Sequence, residues 1–296
     1  MLSAIQLYGA LASGAIYGLV AFSIYLSFRV LDFPDLTVDG SFPLGAAVAA
    51  VMINQDLNPW LACLCGFLAG ALAGALTAWL HVRLKIMNLL ASILVMTALY
   101  SINLRVMAAP NLSIHGKETI VSGLSFGLSP YLWKVLLFGC WAVVVGLALW
   151  WFLRTQLGLA IRATGANGPM ARAQGINTGL MIVLGISLAN GLVGLAGALM
   201  AQSQSYSDVQ MGMGTIVVGL ASLIGGEAIL APRTIGRALV GCILGAIMYR
   251  LAIALALNIK GLGIKTQDFN LITALLVTLA IVISNNPLKL KGKSHD

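Results

Sequence analysis

The stretch from residue 29 to residue 43 concentrates polar chemistry between two apolar runs. It carries three carboxylates and two prolines, and its acids and hydroxyls could bind an ion or a polar solute. Proline removes a backbone donor, and at membrane depth the freed polar groups must be satisfied by protein or water. The pattern fits either a discontinuous element beside a transport path or an ordinary cytoplasmic turn with solvated acids. The residues that would line the path are Asp35, Thr37, Asp39, Ser41 and Phe42.

A second polar stretch lies between residues 153 and 178. Ala160 to Ala163 predicts a short helical turn, and Asn167 is a predicted cap for a second helix with Pro169 in its first turn. That helix would run to about Gln174 and stop at Gly175. A short helix flanked by arginines suits docking into a groove of a soluble partner, and the alternative is a helix that lies on the bilayer surface.

A third polar place follows the apolar run that ends near residue 224. Gly225, Gly226 and Glu227 predict a glycine-rich bend, and Glu227 could pair there with Arg233 or Arg237. The simpler interpretation, which we favour from the residues alone, is a tight turn whose arginines extend to the interface.

The rest of the chain indicates a membrane protein that must position these stretches. Hydrophobic residues make up 59% of the sequence and charged residues only 9%, far below the roughly 25% of a soluble domain. The formal charge of +8 is distributed over short connectors and not over a polar helix, which argues against nucleic-acid binding. We expect one transmembrane domain over residues 1–296, of which residues 154–178 form a cytoplasmic segment.

A crossing helix needs about 20 mostly apolar residues. On that basis we predict an all-α polytopic bundle of about nine spans, within a range of eight to ten. The first lacks a basic region before it and is too long for a signal peptide, so we expect it to be retained. The predicted spans are Ser3–Ser27, Gly40–Asn54, Trp60–Leu80, Met87–Met107, Tyr131–Leu153, Gly179–Gln202, Met213–Leu230, Gly236–Asn258 and Phe269–Ser284.

The basic residues predict the orientation, because cytoplasmic connectors are enriched in lysine and arginine. With the C-terminus inside and the N-terminus outside, eleven basic residues face the cytoplasm and four face the exterior. Arg105 and Arg250 fall inside spans near the predicted outer ends, where we expect each side chain to reach water.

Glycines at helical spacing predict close helix packing. Gly66, Gly70 and Gly74 share one face of a span, and Gly241 and Gly245 repeat the spacing. Small residues let backbones approach where lipid offers no hydrophobic drive to pack. We interpret these stripes as structural.

The polar connector resembles the coupling segment of permeases from the branched-chain-amino-acid class of ABC importers. Those permeases share a glycine, an Arg-Ala pair, a polar gap, an alanine-rich helix and a Leu-Gly-Ile-Asn end, where this chain has glutamine in place of leucine. The matching residues here are Gly158, Arg162-Ala163, Asn167, Met170-Ala171, Ala173 and Gln174-Gly175-Ile176-Asn177.

The N-terminal region is similar to the same family in order and spacing. Where many members have Asn-Phe-Ala-His-Gly, this chain has Asp32-Phe33-Pro34 and then Asp39-Gly40, which indicates a subgroup, such as one that includes proposed aromatic amino acid importers. The matching residues are Ala15-Ile16-Tyr17-Gly18, Ala21, Asp32-Phe33, Asp39-Gly40 and Leu44-Gly45-Ala46.

The resemblance implies a permease subunit of the bacterial inner membrane that forms the pathway for a small solute, an amino acid or related compound. Its implied partners are two cytoplasmic ABC ATPase subunits, an extracytoplasmic solute-binding protein docked on the outer loops 108–130 and 202–212, and a second permease copy, in a homodimer. The residues implied to couple to the ATPase are Arg162, Thr164, Gly165, Asn167, Met170, Ala171, Arg172 and Gly175. The alternative is an ion-coupled secondary transporter or channel that acts without an ATPase.

The sequence contains no motif for catalysis or for a cofactor of its own. It lacks the glycine-rich Gly-Lys-Ser/Thr loop that binds ATP phosphates and the paired-histidine motifs of metal enzymes. Its four cysteines lie in apolar runs without a Cys-x-x-Cys pair, so neither a zinc site nor a disulfide framework is indicated. We expect no cofactor on this chain, no metal site and no enzymatic activity, with ATP hydrolysis on a separate subunit.

Overall fold

The computed structural model describes residues 4–122 and 129–257 together with Thr278. The first helix continues into one π-helical segment, Tyr25–Val30, and a short 3₁₀ helix covers Val209–Gly212. The α-helices of the described residues are α1 (Ala4–Ile24), α2 (Val38–Asn54), α3 (Pro59–Leu84), α4 (Asn88–Met107), α5 (Pro130–Phe152), α6 (Gln156–Ala166), α7 (Gly168–Ala173), α8 (Thr178–Gln204), α9 (Thr215–Ile229) and α10 (Ile235–Leu257).

Seven helices within the described residues are long and apolar enough to cross a membrane, and α2 is a shorter apolar helix. These eight coincide with the first eight spans predicted from the sequence. The ninth predicted span, Phe269–Ser284, lies outside the described residues apart from Thr278. The described part of the chain is therefore a bundle of apolar helices, and the total of nine stays a prediction.

The chain between the π-helical segment and α2, residues 31–37, is not helical, as the acid- and proline-rich sequence predicted. Asp32 adopts a left-handed backbone conformation (φ 52°) and helix resumes at Val38. Pro43, however, lies inside α2 and does not end it. Its missing N–H frees the Asp39 carbonyl. A Cβ on Gly212 would clash with that carbonyl oxygen, so the 3₁₀ helix packs closely against it.

Helices α2, α3 and α8 pack at the centre of the bundle through glycine-lined faces. A Cβ on Gly70 would clash with the Asn190 carbonyl oxygen of α8, so the two backbones touch directly there. The opposite face of α3 carries exposed leucines four residues apart, Leu64, Leu68 and Leu72. One face of α3 therefore packs on protein while the other presents an apolar surface suited to lipid, and the predicted structural role of the glycine stripe is confirmed.

The two long loops on the opposite side of the bundle from α6 and α7 meet in a small antiparallel sheet. Strand β1 (Asn111–Ser113) lies in the loop after α4, and strand β2 (Tyr206–Asp208) follows α8. Asn111 pairs with Asp208 and Ser113 with Tyr206. The sequence predicted only loop for residues 108–130, because a three-residue strand leaves no alternating pattern to detect.

Candidate functional site

The predicted coupling segment forms two helices, each capped as its sequence requires. The Thr155 hydroxyl accepts from the Gly158 N–H at 3.3 Å to begin α6, and the Asn167 side chain accepts from the Met170 N–H at 3.1 Å to begin α7. Gly175 then takes a positive φ of 81°, which ends the turn that follows α7. The predicted capping and the stop at Gly175 are confirmed. The first helix is longer than predicted, because α6 covers eleven residues and not the single turn Ala160 to Ala163.

The residues assigned to coupling divide into a free surface and a packed one. The exposed members are Arg162, Asn167, Met170, Arg172 and Gly175, and the buried or half-buried members are Thr164, Gly165 and Ala171. Met170 is 62% exposed on α7. Met170 is thus the exposed large apolar side chain among the residues assigned to coupling, and Leu157 and Leu159 of α6 are exposed as well.

The packed surface connects α6 to the end of the first helix. A Cβ on Gly165 would clash with the Val30 carbonyl oxygen and approach the Leu31 backbone. Ile161 is fully buried, and Leu31 also packs against Gly185 of α8. Gly165 is therefore a packing residue against the start of the non-helical stretch, which makes a bulky replacement there a poor probe of partner binding.

An ion pair lies beside this contact and corrects one expectation from the sequence. The Arg29 guanidinium pairs with both oxygens of Glu227, and its Nε donates to Oε1 at 2.8 Å. Glu227 therefore joins α9 to the end of the first helix, whereas the sequence suggested Arg233 or Arg237 as its partner. Those two arginines are closer in sequence, but they lie after the end of α9 and Glu227 pairs with Arg29 instead.

The bend expected at Gly225, Gly226 and Glu227 is absent, since all three residues lie inside α9, which continues to Ile229. A Cβ on Gly226 would clash with the Gly241 carbonyl oxygen of α10. The predicted bend is therefore wrong, and Gly226 instead allows close helix packing, since both uses require the missing side chain.

A fully buried polar cluster links the non-helical stretch to the centre of the bundle. The Asn190 Nδ2 donates to Asp35 Oδ2 at 2.6 Å, and the Ser41 hydroxyl donates to Asn190 Oδ1 at 2.7 Å. Asp35 Oδ1 accepts from the Thr37 N–H at 2.9 Å, and the Thr37 and Thr77 hydroxyls lie 2.8 Å apart. In this conformation these groups bond to one another, and their contact with a solute stays a prediction.

Asp39 and Phe42 have different surroundings from the other pathway candidates. Asp39 accepts from the N–H groups of Gly214 at 3.2 Å and Ile216 at 2.8 Å, so its carboxylate caps α9. The Phe42 ring stacks on Tyr17 with centroids 5.7 Å apart, and both rings line a cavity. Of the five candidates, Phe42 is the one that lines this cavity.

The cavity next to Phe42 contains a residue whose role the sequence did not indicate. It measures about 220 Å³, is bordered by parts of α1, α2, α8, α9 and α10, and includes the Arg250 side chain. The Arg250 guanidinium lies 3.8 Å from the centre of the Tyr17 ring, a cation–π contact. We expected this side chain to extend to water as Arg105 does. Arg105 is exposed, whereas Arg250 is directed into the bundle.

Comparisons with known proteins agree on one kind of protein. The model of the family described as branched-chain amino acid transport system / permease component matches residues 6–284. A tyrosine transport system permease protein of Clostridioides difficile is 35% identical over 276 residues, which cover 93% of this chain and 90% of that protein. An uncharacterized protein of Rickettsia prowazekii is 32% identical over 262 residues, which cover 87% of this chain and 90% of that protein.

Two further matches are more distant. The autoinducer 2 import system permease protein of Salmonella paratyphi B is 28% identical over 220 residues, or 72% of this chain and 60% of that protein. A solved structure of a metal-chelate type ABC transporter in an inward-facing conformation superposes with a TM-score of 0.50 at 16% identity. It covers 96% of this chain and 85% of its own, and at that identity it supports the fold alone.

Proposed function

Because the chain belongs to the family of branched-chain amino acid transport system permease components, and is thus the permease subunit of an ABC importer, we propose that the segment α6–α7 is where its ATPase partners act. The observation that carries this proposal is the geometry of that segment. It projects Met170 outward on a capped helix and packs Gly165 against the start of the non-helical stretch. Family membership also decides against an ion-coupled transporter that acts alone.

The exposed side of the segment suits a soluble partner. Met170 can fill an apolar groove, and Arg162 and Arg172 on either side can pair with acidic groups at its rim. The partner would be a pair of cytoplasmic ABC ATPase subunits, and this chain itself would hydrolyse no ATP.

The packed side of the segment suits transmission of a movement. A push on α6 reaches the Val30 and Leu31 backbone through Gly165 without an intervening side chain. Four residues later the same stretch holds Asp35, which is hydrogen-bonded to Asn190 at the middle of α8. The route from partner to bundle centre is therefore short and made of backbone and buried hydrogen bonds.

The remaining parts of the assembly follow from the family and the charge distribution. The N-terminus would be outside and the C-terminus cytoplasmic in a bacterial inner membrane, with two copies of the permease forming the pathway as a homodimer. A solute-binding protein would dock on the outer loops. Support for a shared docking surface comes from the β1–β2 pair, which joins the two loops predicted for that role.

The proposed solute is an amino acid or a related compound. The tyrosine transport system permease supports this choice, because its similarity extends over nearly the whole of both chains. The autoinducer 2 permease is more distant and matches a smaller part of its own length.

The substitution Met170→Glu tests the coupling assignment. A carboxylate in the position of the docking side chain should abolish solute-stimulated ATP hydrolysis in the reconstituted importer, because burying an unpaired charge at an interface is strongly unfavourable. The measurement is ATPase activity in proteoliposomes with and without loaded binding protein, together with the amount of ATPase that copurifies.

Met87→Glu is the matched control. Met87 is 70% exposed at the start of α4, in a connector predicted to face the same side, but it lies outside the segment. This variant should retain stimulation. Equal stimulation in both variants would contradict the assignment, and failure of any ATPase to copurify with the wild-type chain would contradict the proposed function itself.

A further inference from the structure

The cavity beside Phe42 contains two buried polar groups that have no hydrogen-bond partner within the described part of the chain. They are the Nε of Arg250 and the hydroxyl of Thr215, and both residues line the same space. Buried polar groups in native proteins are nearly always satisfied, so each exception calls for an explanation. Both groups can donate, so a molecule with acceptor oxygens would supply the kind of partner that they lack.

The charged side chains that line this cavity and the one next to it are basic in the described part of the chain. The ion pairs among the described residues are Arg29–Glu227 and Lys117–Asp56, so Arg250 takes part in neither. Among the described residues, no acidic side chain lines the 220 Å³ cavity or a second cavity of about 330 Å³ that shares Arg250 with it. The second cavity adds Lys134, whose Nζ donates to the Ser203 carbonyl oxygen at 2.9 Å. A cation that lies within a membrane span without a carboxylate partner indicates a site for an anionic group.

The Asp39 carboxylate lies at the start of α9 and is bonded there. Asp39 accepts from two N–H groups at the start of α9, the helix that also carries Thr215, but it does not line the cavity. Its charge is already engaged as a helix cap. The Arg250 Nε–H therefore remains available to a molecule that enters the cavity.

The walls of the cavity limit the rest of that molecule. Tyr17 and Phe42 form an aromatic side, and three methionines, Met200, Met211 and Met213, add flexible apolar surface. A volume of about 220 Å³ is below the roughly 300–1,000 Å³ of drug-sized sites, which suits a solute of amino-acid size. Gln204 and Tyr206 border the cavity and are exposed, so it is open to the side of the β1–β2 sheet.

We infer that this cavity is a solute site in which Arg250 binds a carboxylate and Tyr17 and Phe42 hold a planar or aliphatic body. The inference rests on the proposed function, and it narrows the solute class to small carboxylates with an apolar body. Thr215 donates its hydroxyl to the same carboxylate. In the second cavity, the positive charges of Lys134 and Arg250 attract such anions. The same charges repel amines of the same shape that lack the carboxylate.

Three matched probes test this site on the purified full-length chain in lipid nanodiscs. They are L-tyrosine, 3-(4-hydroxyphenyl)propionate, which lacks the amine, and tyramine, which lacks the carboxylate. Binding is measured by saturation-transfer NMR of the probe. We expect both carboxylates to bind and to compete with each other, and tyramine to bind at least about tenfold more weakly. This comparison needs no variant.

Two substitutions test whether Arg250 is the residue that binds the carboxylate. Arg250→Gln should weaken binding of both carboxylates by about tenfold or more, and Arg250→Lys should restore part of it because the charge remains. Arg105→Gln is the control. Arg105 is an exposed arginine in the last turn of α4 and does not line the cavity. It should bind the probes as the wild-type chain does.

Several outcomes would overturn the site. These are tyramine binding as tightly as the carboxylates, Arg250→Gln binding them unchanged, or no binding of either carboxylate to the wild-type chain. None of these results depends on an ATPase. A wild-type chain that binds the carboxylates but copurifies with no ATPase would instead contradict the proposed function and leave the site in place.

Discussion

Asp35 is a carboxylate in the interior of the bundle, and its hydrogen bonds explain how it is accommodated. It is fully buried, and it accepts from the Asn190 side chain and from the Thr37 N–H. Burial of a charged or polar group is tolerable only when such partners are present. The acid-rich stretch therefore contributes a buried connection at this position, which contradicts a turn with solvated acids there and leaves its place beside a transport path a prediction.

Replacement of Asp35 by alanine should destabilise the protein by about 1–3 kcal/mol, because the Asn190 amide and the Thr37 N–H would lose a buried acceptor. Thermal unfolding of the purified chain in detergent measures the effect. Glu118→Ala removes an exposed carboxylate and should leave the unfolding temperature nearly unchanged. Equal melting of the two variants would show that the buried connection adds nothing to stability.

Arginine shows where prediction from the sequence stops at the scale of single residues. Arg105 and Arg250 have the same type, similar depth and the same predicted role, yet one is exposed and the other covers the Tyr17 ring. The difference depends on which face of each helix meets protein. Both helices are apolar on all sides, so their sequences contain no polar face that would mark the outer surface.

Helix contacts at the element scale depend on backbone approach. The centre of the α3–α8 interface is Gly70, where a side chain would meet the Asn190 carbonyl oxygen. The side chain of the same residue, Asn190 of α8, binds Asp35, so α3 packs directly on the residue that holds the buried cluster.

The variant Gly70→Ala should therefore lower the unfolding temperature, although alanine is ordinarily better than glycine in a helix by about 0.5–1 kcal/mol. Gly139→Ala is the matched control in α5, since a Cβ at Gly139 meets nothing within 4 Å. It should be neutral or slightly stabilising. Circular-dichroism melting compares the two, and a Gly70→Ala protein as stable as wild type would refute direct backbone contact at this interface.

The connector shows which elements the sequence determines. The caps Thr155 and Asn167 and the positive φ of Gly175 are local features, and the sequence predicted the second cap and the stop correctly. The length of α6 was underestimated, because its glycine and threonine residues have low helix propensity. Packing of Ile161 and Gly165 against the bundle stabilises that helix, and such contacts cannot be recognised without the fold.

At the scale of the whole molecule, the apolar runs predicted eight helices in the correct order within the described residues. The position of a span follows from the length of an apolar run, so it can be predicted from one sequence. The Arg29–Glu227 pair could not, because it joins residues 198 positions apart. The same is true of the cavity at Arg250, which five separate segments enclose.

Orientation in the membrane is tested by two single-cysteine reporters. Met170→Cys should react with a membrane-impermeant maleimide only in inside-out vesicles, and His115→Cys, in the loop that carries β1, only in right-side-out vesicles. Both positions are exposed, so access depends on sidedness. The unmodified chain is the control for reaction at Cys140, which is exposed on α5. The reverse labelling pattern would invert the predicted topology.

Asp39 has a consequence for how such a permease can open. Its carboxylate is bonded to the first N–H groups of α9, and Gly212 packs on its carbonyl, so α2 and the beginning of α9 are joined at two adjacent points. Separation of these helices would expose an unpaired acid and a helix start at once. Any outward opening must therefore move α2 and α9 together as one rigid body. Its hinge must lie at helix contacts other than those of Asp39 and Gly212.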